Sequence, residues 1–125
     1  MKLNFEDERP IFLQVAEGIE DGILMGAFPE GEQVPSTTEI SVTYKINPAT
    51  ALKGVTRLVE EGILYKQRGV GMFVARGAVE GVKTKRKAAF VHQYVTPLTR
   101  EAKRLNLPLG ETVELIERSY DHAEN

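Results

Sequence analysis

The chain has 125 residues, a net charge of −2 and no cysteine. That length suits one compact domain with a small appendage, and the missing cysteine excludes disulfides and thiolate metal sites and fits a reducing cytoplasm. The opening Met1–Arg9 lacks the apolar core of a signal peptide and no run nears the ~18 apolar residues of a membrane span, so a cytoplasmic protein with no membrane partner is expected.

Pro10 opens the first predicted helix at a position proline favours. Ile11, Val15, Ile19 and Ile23 recur every fourth residue with Phe12, Ala16 and Leu24 beside them. Glu17, Glu20 and Asp21 fall on the other side, which reads as a wet acidic face rather than a catalytic pair. The helix ends near Gly26, Phe28–Glu32 makes a turn, and Gln33-Val34 is a short strand able to pair with a later ribbon.

Ser36-Thr37-Thr38-Glu39 is a capping box, in which the Ser36 hydroxyl takes the Glu39 N–H and the Glu39 carboxylate reaches back to Ser36. It starts a helix that runs through Ile40 to about Tyr44. The next helix has Asn47 as N-cap, Pro48 at its first position and Gly62 as its stop. Its apolar residues Ala51, Leu52, Val55, Leu58 and Val59 define a buried face, and the short connection before it forces a sharp helix crossing. Ile63–Lys66 and Met72–Ala75 are strand-like, with Gln67–Gly71 turning between them. Helix, short strand, helix, helix, strand, strand is the order of a winged helix-turn-helix, a DNA-reading unit. Tyr44 and Tyr65 read as core-edge residues rather than a stacking platform.

The charge balance runs against a phosphate binder. Residues 1–75 carry seven Lys/Arg and eleven Asp/Glu, net −4, whereas residues 76–125 carry nine and seven, net +2. Yet Lys45, Lys53, Lys66 and Arg68 gather around the predicted reading surface, so affinity should come from two copies acting together.

After Ala75 the pattern weakens, and 76–82 reads as a glycine-containing linker. Lys83, Lys85, Arg86 and Lys87 form a basic knot, either a phosphate-contacting hinge or a solvated helix entrance. From about Arg86 to Leu105 a long helix carries Phe90, Val91, Tyr94, Val95, Leu98, Ala102 and Leu105. Pro97 inside it should kink or break the helix one turn earlier. Asn106–Gly110 is a turn, and a last helix carries Leu109, Val113, Ile116 and Tyr120. Two such helices cannot bury their apolar stripes alone, and a second copy across a two-fold axis supplies the missing surface. The expected architecture is therefore α+β, mainly α. It comprises a winged helix-turn-helix DNA-binding domain over 1–76, then a linker and a two-helix dimerisation region over 77–125.

Pro10-Ile11-Phe12-Leu13-Gln14, Val34-Pro35-Ser36, Glu60-Glu61-Gly62-Ile63-Leu64 and Arg68-Gly69-Val70-Gly71-Met72-Phe73-Val74 occur in the order and spacing of a known pattern. Across residues 10 to 75 the chain resembles the GntR family of bacterial transcription regulators. The Asn47-Pro48-Ala49-Thr50 opening of the second helix of the motif, with two helices after the wing, is similar to the YtrA-type subgroup. The resemblance implies a homodimer joined by its C-terminal helices, through Phe90, Tyr94, Leu98, Leu105, Val113, Ile116 and Tyr120. It also implies a double-stranded DNA operator and a gene that often accompanies a transporter operon. The implied DNA contacts fall on Ser36 and Thr38 for phosphate, and on Lys45, Asn47, Ala49, Thr50 and Lys53 in the major groove. Arg68, Gly69 and Gly71 form the implied wing tip. Thr50 and Lys53 would reach base edges and Ala49 a thymine methyl; Arg68 suits a narrow minor groove.

The chain departs from the wider family where Thr38, Pro48 and Leu52 stand in place of arginines and Met72 in place of a threonine, so operator sequence does not carry over. Ser36 and Asn47 would cap helices in any protein, and Thr50 and Lys53 would be exposed on any such helix. His92 and His122 lie too far apart in sequence to suggest a metal site, and the glycines of the wing lack the setting of a nucleotide loop. No catalytic residue, metal or cofactor is expected. The small-molecule effector, if one exists, is unknown, because about fifty residues after the wing leave little room for an enclosed pocket. Repression is the expected direction, since a small dimer on a promoter blocks polymerase without any further contact surface. The alternative is a winged-helix module for protein–protein assembly, its acidic surface repelling DNA.

Overall fold

In the computed structural model, which describes residues 1–122, the second and third helices start where their caps predict. Helix α1 covers Ile11–Leu24, α2 Thr37–Tyr44 and α3 Pro48–Glu60; strands β1 (Leu64–Gln67) and β2 (Gly71–Val74) follow, then α4 (Ala78–Phe90), α5 (Thr96–Arg104) and α6 (Leu109–His122). The chain divides into two compact units, Met1–Lys85 and a second that begins at Arg86.

The first unit is built on one apolar cluster. Val15, Ile19 and Ile23 of α1 meet Ile40 of α2 and Ala51, Val55 and Leu58 of α3, with Leu64 and Val74 of the ribbon closing the cluster. Gly54 lets α1 and α3 approach closely, since a Cβ there would lie 2.7 Å from the Phe12 carbonyl oxygen and 2.9 Å from a Val15 methyl. The β1–β2 ribbon is antiparallel, with Tyr65 opposite Phe73 and Lys66 opposite Met72. The short strand expected at Gln33-Val34 is present as a single bridge from Gln33 to Phe73, flanked by the Val34 N–H on the Met72 carbonyl at 3.0 Å.

Two expectations need correction here. Residues 76–82 are not a linker, because α4 begins at Ala78 and Ala78 and Val82 are buried in the core of the first unit. The signal that starts this helix is remote in sequence: the Glu30 carboxylate accepts from the N–H groups of Gly77 at 2.9 Å and Val79 at 3.1 Å. Those backbone donors hold the Glu30 carboxyl below its ordinary range. Nor is Glu20 part of a wet face, since it is 2% exposed and accepts from Lys85 Nζ at 2.6 Å. Lys85 also donates to Glu61 at 2.7 Å, so this member of the basic knot ties α4 to α1 and to the end of α3. Partial burial pulls the Lys85 ammonium down, but its bonds to the two carboxylates outweigh that and raise it above its ordinary value.

In the second unit Pro97 acts as its chemistry requires. It has no N–H to offer residue 93, and the chain widens one turn earlier into a π-helical turn, Val91–Val95, with the Thr96 N–H on the Val91 carbonyl. The predicted helix over 86–105 is therefore the end of α4, this turn and α5. Asn106, at φ 57°, turns the chain toward α6, and the Leu107 N–H bonds the Ala102 carbonyl at 2.9 Å.

Candidate nucleic-acid interface

The candidate surface begins at the N-terminus of α2. The Ser36 hydroxyl accepts from the Glu39 N–H and the Glu39 carboxylate from the Ser36 N–H, both at 3.0 Å. The backbone donor, then the hydroxyl, hold the Glu39 carboxyl below its ordinary value. Thr38 is exposed on the first turn beyond this box. Helix α2 ends at Lys45, which takes a left-handed conformation at φ 55° and is exposed. The chain then needs only Ile46 and Asn47 to start α3: the Asn47 side chain accepts from the Ala49 N–H at 2.8 Å, and Pro48 occupies the first helical position.

Helix α3 buries Ala51, Gly54, Val55 and Leu58. Its opposite face shows Ala49, Leu52, Lys53, Thr56, Arg57 and Glu60 to solvent, and Thr50 sits half-buried at the margin. Leu52 was expected on the buried face; at 49% exposure it lies outside the core, one helical turn along from Ala49. The Lys53 ammonium lies 4.1 Å from the centre of the Phe12 ring, a cation–π contact that draws this charge toward α1. The sequence places Phe12 only as a flank of the α1 stripe, and its contact with Lys53 depends on the crossing of two helices.

The wing tip is Arg68, Gly69 and Val70, all exposed, with the Val70 N–H on the Gln67 carbonyl at 2.9 Å. Gly69 has φ 78°, a conformation that side chains resist. Gly71 at φ 147° passes so close to the Gln33 amide that an added Cβ would collide with it, while that amide donates to the Val70 carbonyl at 3.0 Å. Gln33 thereby steadies the tip. Tyr65 and Phe73 stack across the ribbon with ring centres 5.7 Å apart, and Tyr44 packs at the edge of the core.

The residues expected to join two copies lie in the second unit or at its start. Phe90 ends α4, Tyr94 is in the π-helical turn, Leu98 is on α5, Leu105 caps it, and Val113, Ile116 and Tyr120 are on α6. All seven are exposed, Tyr120 by 82% and Tyr94 by 63%. His92 and His122 are exposed at separate points of the same unit.

Comparison with known proteins gives this architecture a lineage. Residues 12–74 match the model for bacterial regulatory proteins of the gntR family. The chain is 29% identical over 118 residues to the uncharacterized HTH-type transcriptional regulator YhcF of Bacillus subtilis, covering 93% of this chain and 94% of that one. It is 32% identical over 79 residues to the HTH-type transcriptional repressor YtrA of the same organism, covering 60% and 61% respectively. A solved structure described as a putative GntR-family transcriptional regulator from Bacteroides thetaiotaomicron superposes with a TM-score of 0.73 at 33% identity, over 88% of this chain and 92% of that one. The chain spans only about a third of the length of some longer regulators that it also matches. With the family's pattern running from the first helix through the wing, this chain belongs to the GntR family of bacterial regulatory proteins.

Proposed function

We propose that this protein is a sequence-specific transcriptional regulator that binds a palindromic operator as a homodimer and represses the genes beside it, a transporter operon among the candidates. The observation that carries the reading is the outer face of α3, a doubly capped helix whose exposed Ala49, Leu52, Lys53 and Thr56 serve no core. A helix of this kind fits the major groove, and the half-exposed start of α2 with Ser36 and Thr38 suits phosphate oxygens. Lys45, Asn47 and Thr50 border the same face, and Arg68, Gly69 and Gly71 extend the reach to a neighbouring minor groove. The exposed apolar residues of the second unit support the dimer, since seven of them left in water would cost more than pairing them.

The test is a titration of labelled DNA from upstream of the protein's own gene, at rising salt. Binding should weaken steeply with salt, and Arg68→Ala should lower the salt slope by about one. Lys53→Ala should weaken it as well. If a broad set of duplexes, the promoter included, shows no preference at low salt, the protein–protein assembly reading takes its place.

A further inference from the structure

Leu52 is a large apolar side chain at the middle of a surface otherwise suited to polar contacts. It is 49% exposed, belongs to no part of the core cluster, and stands one helical turn from the exposed methyl of Ala49. The depression around it is shallow, open and mostly apolar, lined by Phe12, Ala49, Lys53, Thr56, Arg57 and, at its far end along the helix, Glu60. The Lys53 ammonium, on the next residue, is turned aside onto Phe12 at 4.1 Å. Between Ala49 and Leu52 the outer face of α3 therefore presents hydrocarbon.

A major groove offers one apolar group to such a surface, the 5-methyl of thymine. Guanine, adenine and cytosine present polar edges there, and seating one against Leu52 would strip water from it with no partner in return. We propose that Leu52 is a specificity-determining residue that selects thymine at one position of each operator half-site by packing on its 5-methyl group. This rests on the DNA-reading function proposed above and deepens it. The surface continues the face that function uses, and the occupant is set by complementarity of shape and polarity.

Deoxyuridine differs from thymidine only by that methyl, so it isolates the contact. Preferred duplexes would be selected from a randomised library with the intact protein, and each thymine of the winner replaced in turn by deoxyuridine. Dissociation constants would be measured at fixed salt for the wild type and for Leu52→Ala, with circular dichroism to show that the variant keeps its helices. One thymine in each half-site should lose about fourfold in affinity on replacement, the worth of one buried methyl at ~0.8 kcal/mol. In Leu52→Ala that penalty should vanish, and re-selection with the variant should relax the preference at that position alone. The assignment is overturned if no thymine is sensitive, or if the sensitive one stays equally so in Leu52→Ala, which would place the contact on Ala49. A library from which no duplex is enriched overturns the regulatory function itself, and this assignment with it.

Discussion

The two units of this chain solve the burial problem in opposite ways. In the first, three helices, a ribbon and the start of α4 enclose a cluster of fourteen buried apolar residues, and the one fully buried carboxylate of α1, Glu20, is paired with Lys85. In the second, Ala102 and Thr112 are the only buried side chains among the described residues, and Phe90, Tyr94, Leu98, Leu105, Leu109, Val113, Leu115, Ile116 and Tyr120 remain in water. The first is a finished object by the ordinary rule that an amphipathic element must cover its apolar stripe. The second has the stripe without the cover. Secondary structure is equally regular in both, so regularity of helix says little about whether a segment can stand alone.

That contrast can be tested from its strongest side down. Leu58→Ala removes a fully buried side chain where α3 meets the core and should cost about 3–4 kcal/mol in urea unfolding. A loss under about 1 kcal/mol would mean the first unit is far looser than its packing indicates. The matching change in the second unit, Ile116→Asp, should leave the urea unfolding free energy of the first unit within about 0.5 kcal/mol of the wild type. On the proposed function it should instead turn a dimer into a monomer by analytical ultracentrifugation and weaken DNA binding by roughly a hundredfold, the gain that joining two proposed half-sites supplies.

Glu20→Gln sharpens the comparison inside the first unit. Breaking a wholly buried pair costs about 3–5 kcal/mol, but the Lys85 side chain is 37% exposed and keeps Glu61, so about 1–2 kcal/mol is expected. Because the Lys85 pKa is raised in the folded protein, its contribution is fully present below the ordinary lysine value of 10.5 and is lost as pH climbs through the higher folded value. A wild-type stability curve that stays flat above that point while Glu20→Gln is already destabilised at neutral pH would separate the packing of Glu20 from its charge. The smallest effect belongs to the caps. Ser36→Ala should cost about 1 kcal/mol. Glu30 and Glu39 have lowered values, so their bonds to backbone N–H groups hold above pH 4.5 and fade as pH falls through the depressed folded values, first seen as weakened starts of α4 and α2. Thermal melts between pH 3 and 6, compared with Glu39→Gln, measure that loss.

Much of the candidate site can be read from neighbours in the chain. Ser36 with Glu39, and Asn47 with Pro48, announce the starts of α2 and α3 because a capping bond spans two or three residues and needs no tertiary partner. The wing is legible for a similar reason, as Gly69 and Gly71 occupy backbone conformations that most side chains resist. Pro97 disturbs its helix one turn upstream whatever surrounds it, and only the form of the disturbance, a π-helical turn, had to be seen. Leu52 was misplaced because the spacing of apolar residues on α3 fits a stripe either with or without it, and the choice depends on where α1 crosses.

What the sequence by itself determined, then, is what has its cause within a few residues: the capped starts of α2 and α3, the turn glycines and the order of elements through the wing. The tertiary structure alone decided which side chains of those elements meet across long stretches of chain. It buried Glu20 by bringing Lys85 to it, started α4 at Ala78 by supplying the Glu30 carboxylate, and left Leu52 outside while drawing Lys53 onto Phe12. The physical reason is that a local bond is encoded by spacing, whereas burial and charge pairing depend on surfaces that do not exist until the chain has folded back on itself.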